Sequence, residues 1–111
     1  MGRVLALSAV LGALAVPAGA GAYDGVWDLE TCSPMNVSRI TVAGDMIALY
    51  ESQCRLSGPV AVRDMAGATL YEMSCEGEGE VWRRRILLMT GFGDTLIRAE
   101  EGFALTYRRC R

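Results

Sequence analysis

Residues 69–90 read TLYEMSCEGEGEVWRRRILLMT, and this stretch decides the fold. Two short runs of alternating apolar and polar residues, at 69–75 and 80–90, flank a turn at 76–79 that contains two glycines. A period of two residues is typical of a β-strand, whereas an amphipathic helix repeats about every 3.6 residues. The stretch therefore predicts an antiparallel hairpin, and its second run is the longest strand in the chain.

Further short runs of the same kind occupy the chain on both sides of this hairpin, and Gly, Pro, Asp or Ser separates them every 8 to 12 residues. The predicted strands outside the hairpin are 25–30, 37–42, 46–51, 60–64, 96–100 and 103–109. Short connections join all of them, so we expect an all-β fold, a small antiparallel meander of about seven or eight strands. The meander is expected to close as a barrel or to fold into a sandwich, stapled by disulfides.

The N-terminus has the pattern of a secretory signal peptide. Arg3 precedes an apolar run at 4–16, and small residues at 18–22 provide two Ala-Gly-Ala cleavage sequences. We expect residues 1–22 to be cleaved, which leaves 23–111 as a single small β domain in the periplasm or in the medium. The apolar run is shorter than the roughly 20 residues that cross a bilayer, so no membrane span is expected after cleavage.

Charge and composition argue against several function classes. The chain has 11 basic and 13 acidic residues, a net charge of −2, and every basic residue is Arg. This balance does not predict nucleic-acid binding, and the Arg usage with abundant Ala and Gly is typical of a GC-rich bacterium. The chain contains no His. We therefore expect no enzyme activity, no metal site and no cofactor.

Four cysteines, Cys32, Cys54, Cys75 and Cys110, follow the predicted signal peptide. An even number in a small exported chain predicts a disulfide framework, and four cysteines allow three connectivities. We favour Cys54 with Cys75 and Cys32 with Cys110, the second bridge joining the first strand to the last. In a strict eight-strand meander Cys32 and Cys110 would lie at opposite rims, so this pairing requires an odd strand count, a parallel closure or a crossing loop at 33–34.

The hairpin also carries the residues that we single out as a candidate binding loop. They are Glu76, Gly77, Glu78, Gly79 and Arg83. Carboxylates on one turn could serve glycoside hydrolysis or calcium binding, but the graded ligand spacing of a calcium loop is absent. The simpler interpretation is a solvated acidic turn that faces Arg83 and Arg85.

Arg83, Arg84 and Arg85 are consecutive, so alternation in a strand places their side chains on opposite faces. Arg84 would share its face with Trp82 and with the apolar residues that follow. We therefore expect Arg84 to stack on Trp82 or to form an ion pair with an inward acid such as Glu72.

Aromatic and aliphatic residues of the predicted strands are expected to fill the interior rather than to line a pocket, because a small barrel of about eight strands is only wide enough for its own side chains. The expected core residues are Trp27, Ile40, Val42, Ile47, Leu49, Tyr50, Tyr71, Trp82, Phe103 and Tyr107.

Four short motifs extend over the domain: G-V-W at 25–27, Y-E-S-x-C at 50–54, C-x-G-E-G-x-x-W at 75–82 and Y-x-R-C at 107–110. Through them the chain resembles a group of uncharacterised small exported proteins of alphaproteobacteria. Its size, export, disulfides and meander are also similar, more weakly, to bacterial inhibitors of c-type lysozyme. Those inhibitors insert a Ser-Gly-Ser-Gly-type loop into the lysozyme cleft, and the resemblance places the equivalent loop at 76–79.

Three hypotheses of function follow. The first is a non-catalytic binding or structural module of the cell envelope, because binding usually resides on loops of a rigid scaffold. Its partner is unknown, either an envelope protein or a small ligand, and its oligomeric state is open. The alternative is a protein inhibitor of lysozyme or another envelope hydrolase. The third is an enzyme that uses two converging carboxylates.

Overall fold

The computed structural model describes residues 21–111. Residues 1–20 of the predicted signal peptide therefore lie outside the described residues. Eight strands follow one another along the chain. They are β1 (Gly25–Asp28), β2 (Ile40–Ala43), β3 (Met46–Leu49), β4 (Ser52–Ala61), β5 (Ala68–Gly77), β6 (Glu80–Gly91), β7 (Thr95–Glu100) and β8 (Phe103–Cys110). Between 21 and 111 no helix is long and apolar enough to cross a membrane.

Each strand pairs antiparallel with the next, and β1 pairs antiparallel with β8, so the sheet is a closed barrel. The all-β meander is therefore confirmed, and of the two architectures it is the barrel that forms. The closing pair aligns Val26 with Cys110 and Asp28 with Arg108. Closure removes the two free edges that an open eight-strand sheet would expose along its whole length.

Side chains of alternate residues converge inside the barrel and fill it. The largest of these buried side chains include Ile47, Met73, Ile86, Leu88, Leu96 and Tyr107. Tyr23, which precedes β1, is also buried, and its hydroxyl group donates to the backbone oxygen of Gly67 at 2.9 Å. The ring of Tyr23 meets that of Tyr71 edge-on. The interior is thus packed by the protein's own side chains, as expected for a barrel of eight strands.

The predicted core is correct for the aliphatic residues and partly wrong for the aromatic ones. Trp27 and Tyr107 are buried, and Tyr71 and Trp82 pack against the core while partly exposed. Tyr50 and Phe103, however, are 56% and 42% exposed. Tyr50 follows the last residue of β3, and Phe103 opens β8 beside the β7–β8 turn. Both lie at strand ends, where the wall of the barrel no longer encloses them.

The fourth strand differs from its prediction. The strand expected at 60–64 is replaced by one long strand, β4, which passes through Gly58 and Pro59 with a shift of register between Ser57 and Val60. Pro lacks an N–H group and is tolerated in sheets at bulges and unpartnered edges. β3 pairs with β4 only as far as Arg55, so this part of β4 has no partner on that side.

Both disulfides connect the predicted cysteines. Cys54 and Cys75 lie directly opposite each other on β4 and β5, and their side chains are buried in the core. Cys32 bonds to Cys110, with the two Cα atoms 5.6 Å apart. The strand count is even and the closure is antiparallel, so the ends of β1 and β8 lie at opposite rims of the barrel. The loop after β1 crosses between the rims: it folds back toward the end of β8 and brings Cys32 to Cys110. Two disulfides are consistent with an oxidising, extracytoplasmic compartment.

A buried carboxylate organises this returning loop. Asp28, at the end of β1, is 0% exposed and accepts hydrogen bonds from the backbone N–H of Leu29 at 2.8 Å, from Nδ2 of Asn36 at 3.0 Å and from the hydroxyl group of Ser38 at 2.6 Å. Burial opposes its ionisation, but the hydrogen bonds from Ser38, Asn36 and the backbone outweigh burial and hold the pKa of Asp28 below its ordinary value. Asp28 therefore ties both ends of the loop to β1.

Candidate functional site

The predicted binding loop forms the tip of the β5–β6 hairpin. Its two central residues, Glu78 and Gly79, have φ angles of 51° and 80°, which is the backbone of a type I′ turn. Gly77 is needed for a different reason: a Cβ atom at this position would lie 2.5 Å from the backbone oxygen of Glu51, in the β3–β4 turn. The tip thus packs closely against that turn and has a defined conformation.

Carboxyl groups of the two turns meet at this end of the barrel. Hydrogen bonding to Glu51 and the negative charge of Glu51 raise the pKa of Glu78 above its ordinary value. The charge of Glu51 also raises the pKa of Tyr50. Like charges held together disfavour ionisation. This end of the barrel therefore carries concentrated negative charge on solvent-exposed side chains.

The three consecutive arginines of β6 are all exposed, but they differ in their partners. Arg85 lies opposite Glu72 of β5 and forms an ion pair with it at 2.8 Å. The predicted ion pair of Glu72 with Arg84 is therefore wrong, because Glu72 lies on the outer face and Arg84 on the inner one. Arg83 lies on the outer face, and within residues 21–111 neither Arg83 nor Arg84 has an ion pair with a carboxylate.

Arg83 lies beside the acidic tip on the same face of the sheet. Along the β5–β6 ladder Arg83 lies opposite Ser74, while Glu76 lies opposite Val81, so Glu76 and Arg83 are diagonal neighbours on the outer face. No ion pair joins them in the described part of the chain, and the turn does not face Arg85 either. The acidic turn is thus solvent-exposed, as expected, but within residues 21–111 it forms no ion pair with Arg83 or Arg85.

One edge of β6 is open beside these arginines. β6 pairs with β7 only from Ile86 to Gly91, although its pairing with β5 extends back to Glu80. In a type I′ hairpin the residues that flank the turn are hydrogen-bonded to each other, and the direction alternates along the strand. The backbone N–H and C=O groups of Val81 and Arg83 therefore point away from β5, to the side where β7 is absent.

Clefts adjoin this half of the hairpin on both sides of Arg83. A cleft of about 480 Å³ follows the open edge and is lined by Arg83, Arg84, Arg85 and Glu101 among others. A second, of about 750 Å³, lies on the outer face between Met46, Arg55 and Val81, and Arg83 borders it too. Arg83 is thus common to both concave surfaces.

A buried polar cluster lies at the end of β7, beside Ile86, where β6 and β7 begin to pair. Arg98 donates to Glu100 and to the hydroxyl group of Tyr107, each at 2.8 Å, and its guanidinium lies 5.3 Å from the ring centre of Phe103. Burial disfavours the charge of Arg98, but Tyr107 and Glu100 outweigh burial and raise its pKa. Sequence reasoning missed this cluster, although alternation from Leu96 places Arg98 and Glu100 on the inner face.

Metal-ligating groups are not gathered at the hairpin. In the part of the chain that the structure describes, no group of three or more Asp, Glu, Cys or His side chains is placed to hold a metal ion. The arrangement instead offers backbone donors and acceptors on one edge, two arginines without carboxylate partners, and an acidic tip. These are features suited to recognition of an extended or charged partner.

Comparison with known proteins identifies no relative: no family model, no curated protein and no solved structure matches the chain.

Proposed function

We propose that the protein is a non-catalytic binding module of the bacterial cell envelope, exported to the periplasm or secreted, with the β5–β6 hairpin as its recognition element. The observation that carries the proposal is the half-strand at the start of β6, which is paired on one side and open on the other, between two clefts. The rest of the barrel is internally packed and cross-linked, which makes it a rigid scaffold for this element.

Rigidity matters for a binder because ordering a flexible segment on association costs free energy. The hairpin is ordered before any partner arrives. The Cys54–Cys75 bridge joins β5 to β4 two residues from Gly77, and the tip packs against the β3–β4 turn. The predicted signal peptide and the disulfides support the envelope location.

Site-specific photo-crosslinking tests the proposal in cells. A photoreactive residue replaces Val81, which is 79% exposed at the hairpin, or Met35, which is 84% exposed in the loop after β1. We expect irradiation to produce a discrete adduct in the periplasmic fraction from position 81 and not from position 35. Identical adduct patterns at both positions, or a full-length protein retained in the cytoplasm, would contradict the proposal.

A second candidate uses the same hairpin as an inhibitory loop for lysozyme or another envelope hydrolase. Its exposed and conformationally defined tip favours this function. The negative charge of Glu51 and Glu78 opposes it, since a carboxylate-based hydrolase would present like charges to the tip. Lysozyme assays at micromolar protein decide the matter, and unchanged hydrolysis rates would remove this candidate.

A further inference from the structure

We infer that the open edge of β6 binds an extended acidic peptide segment, which adds to the barrel wall as a further strand beside residues 80–85. This inference rests on the proposed binding function and names the class of partner and its mode of binding. In such an addition, main-chain hydrogen bonds provide affinity and the alternating side chains provide specificity.

The edge supplies the main-chain part of this interaction. Val81 and Arg83 direct their backbone N–H and C=O groups to the open side. Apart from β5, no strand of the described region 21–111 pairs with residues 80–85. An unpaired edge of this kind is a template for another strand. A cleft of about 480 Å³ lies beside it, lined by the three arginines 83–85 and, farther from the hairpin tip, by Glu100 and Glu101.

The barrel has a second unpartnered edge, on β4 beyond Arg55, and it differs in a way that supports the assignment. That edge contains Gly58 and Pro59 within a register shift, which are devices that prevent a strand from docking. The edge of β6 contains no Pro and keeps a regular ladder with β5 throughout. Its protection against docking is the charge of Glu80 and of its arginines.

The charge of the arginines selects the partner. Arg83 and Arg84 are adjacent, so their side chains emerge on opposite faces of the sheet. In an added strand, two consecutive acidic residues would place one carboxylate beside each arginine, and opposite charges on facing strands are favourable. A second copy of this chain docking with Arg83 opposite Arg83 would instead bring like charges together, which is unfavourable.

The experiment measures binding of a defined hexapeptide to the oxidised mature domain. The probe is acetyl-Thr-Val-Glu-Glu-Val-Thr-amide, with a Gln-Gln analogue that lacks the charges and a backbone N-methylated analogue that keeps the charges but loses N–H donors. We expect saturable binding of the probe below about 1 mM, with NMR shifts and slowed hydrogen exchange at the amides of Val81 and Arg83.

Variants test the charge contribution. Arg83→Glu/Arg84→Glu should weaken binding by about tenfold, as loss of two cross-strand charge pairs implies. The matched control, Arg39→Glu/Arg63→Glu, makes the same change in net charge. Both positions lie away from the edge and form no ion pair within residues 21–111. This control should bind the peptide as the unmodified protein does. All four positions leave the core intact, so each variant should keep the wild-type melting temperature.

Three results would overturn the inference. They are equal binding of the N-methylated analogue, unperturbed amides at Val81 and Arg83, and equal affinity of the Arg83→Glu/Arg84→Glu variant. Sedimentation showing a dimer that this double variant disperses would assign the edge to a second copy and also overturn it. If the peptide does not bind but the adduct at position 81 still forms in cells, only the inference of an acidic strand is rejected. If the adduct is lost as well, the proposed function is rejected.

Discussion

Replacing Asp28 by Asn should destabilise the fold, because the carboxylate is buried and hydrogen-bonded. Asp28 is fully buried and accepts three hydrogen bonds, from Leu29, Asn36 and Ser38. Hydrogen bonds to an ionised group contribute about 1.5–3 kcal/mol each. Asn keeps one acceptor oxygen but turns an NH₂ group toward existing donors, so at least one of these bonds is lost and its donor is left unpaired. We expect the free energy of unfolding to fall by about 2–4 kcal/mol.

Urea denaturation of the oxidised protein at pH 7 measures this loss, and Asp45→Asn is the matched control. Asp45 also loses a charge and an ion pair, with Arg55, but both side chains are more than half exposed. An exposed pair of this kind contributes about 0–1 kcal/mol. A difference of less than about 0.5 kcal/mol between the two variants would refute the role assigned to Asp28.

The pH dependence provides an independent check. The pKa of Asp28 is lowered in the folded state, so its stabilisation is complete above the unfolded value of about 3.9 and is lost as the pH falls through the folded value. The stability gap between the wild type and Asp28→Asn should therefore be constant from pH 7 to about pH 5 and close at lower pH. A gap that closes between pH 5 and 7 would contradict the assigned pKa.

Two further predictions concern the hairpin. Replacing Cys54 and Cys75 by Ser removes a bridge between residues 21 positions apart in the chain. Chain entropy predicts that the free energy of unfolding falls by about 3 kcal/mol, which urea denaturation measures. An unchanged midpoint would show that the bridge does not restrain the unfolded chain. Gly77→Ala should separate the tip from Glu51 and remove the raised pKa of Glu78, which NMR titration measures. Gly79→Asn adds a Cβ atom that meets no atom within 4 Å, and Asn tolerates the positive φ of this position, so this control should keep the raised pKa.

Local sequence patterns predicted most of the strands because a period of two residues reports directly on which side chains face the core. The failures occurred where a neighbouring element decides. Ser57–Gly58–Pro59 has the composition of a turn, yet β5 holds this segment as a strand because one side of β4 has no partner to require its N–H groups. Tyr50 looks like a core residue and is exposed because the strand ends before it.

The candidate site was only partly visible in the sequence. The turn at 76–79 was predicted, since glycines at a hairpin tip are a local signal, but the pairing of its arginines was not. The sequence predicts that Arg84 stacks on Trp82 or pairs with an inward acid such as Glu72, whereas register places Arg85 opposite Glu72. Cross-strand neighbours depend on a register that no single strand encodes, and the open edge depends on where β7 ends.

By itself, the sequence determined the all-β class, a count of about seven or eight strands and most of the aliphatic core, because alternation and turn residues act within a few residues of one another. The tertiary structure alone decided that the sheet closes between β1 and β8, that the loop after β1 folds back over the buried Asp28, and that the first half of β6 pairs with β5 but has no partner on the β7 side. These features arise from contacts between residues distant in the chain, whose geometry exists only when the whole barrel is assembled.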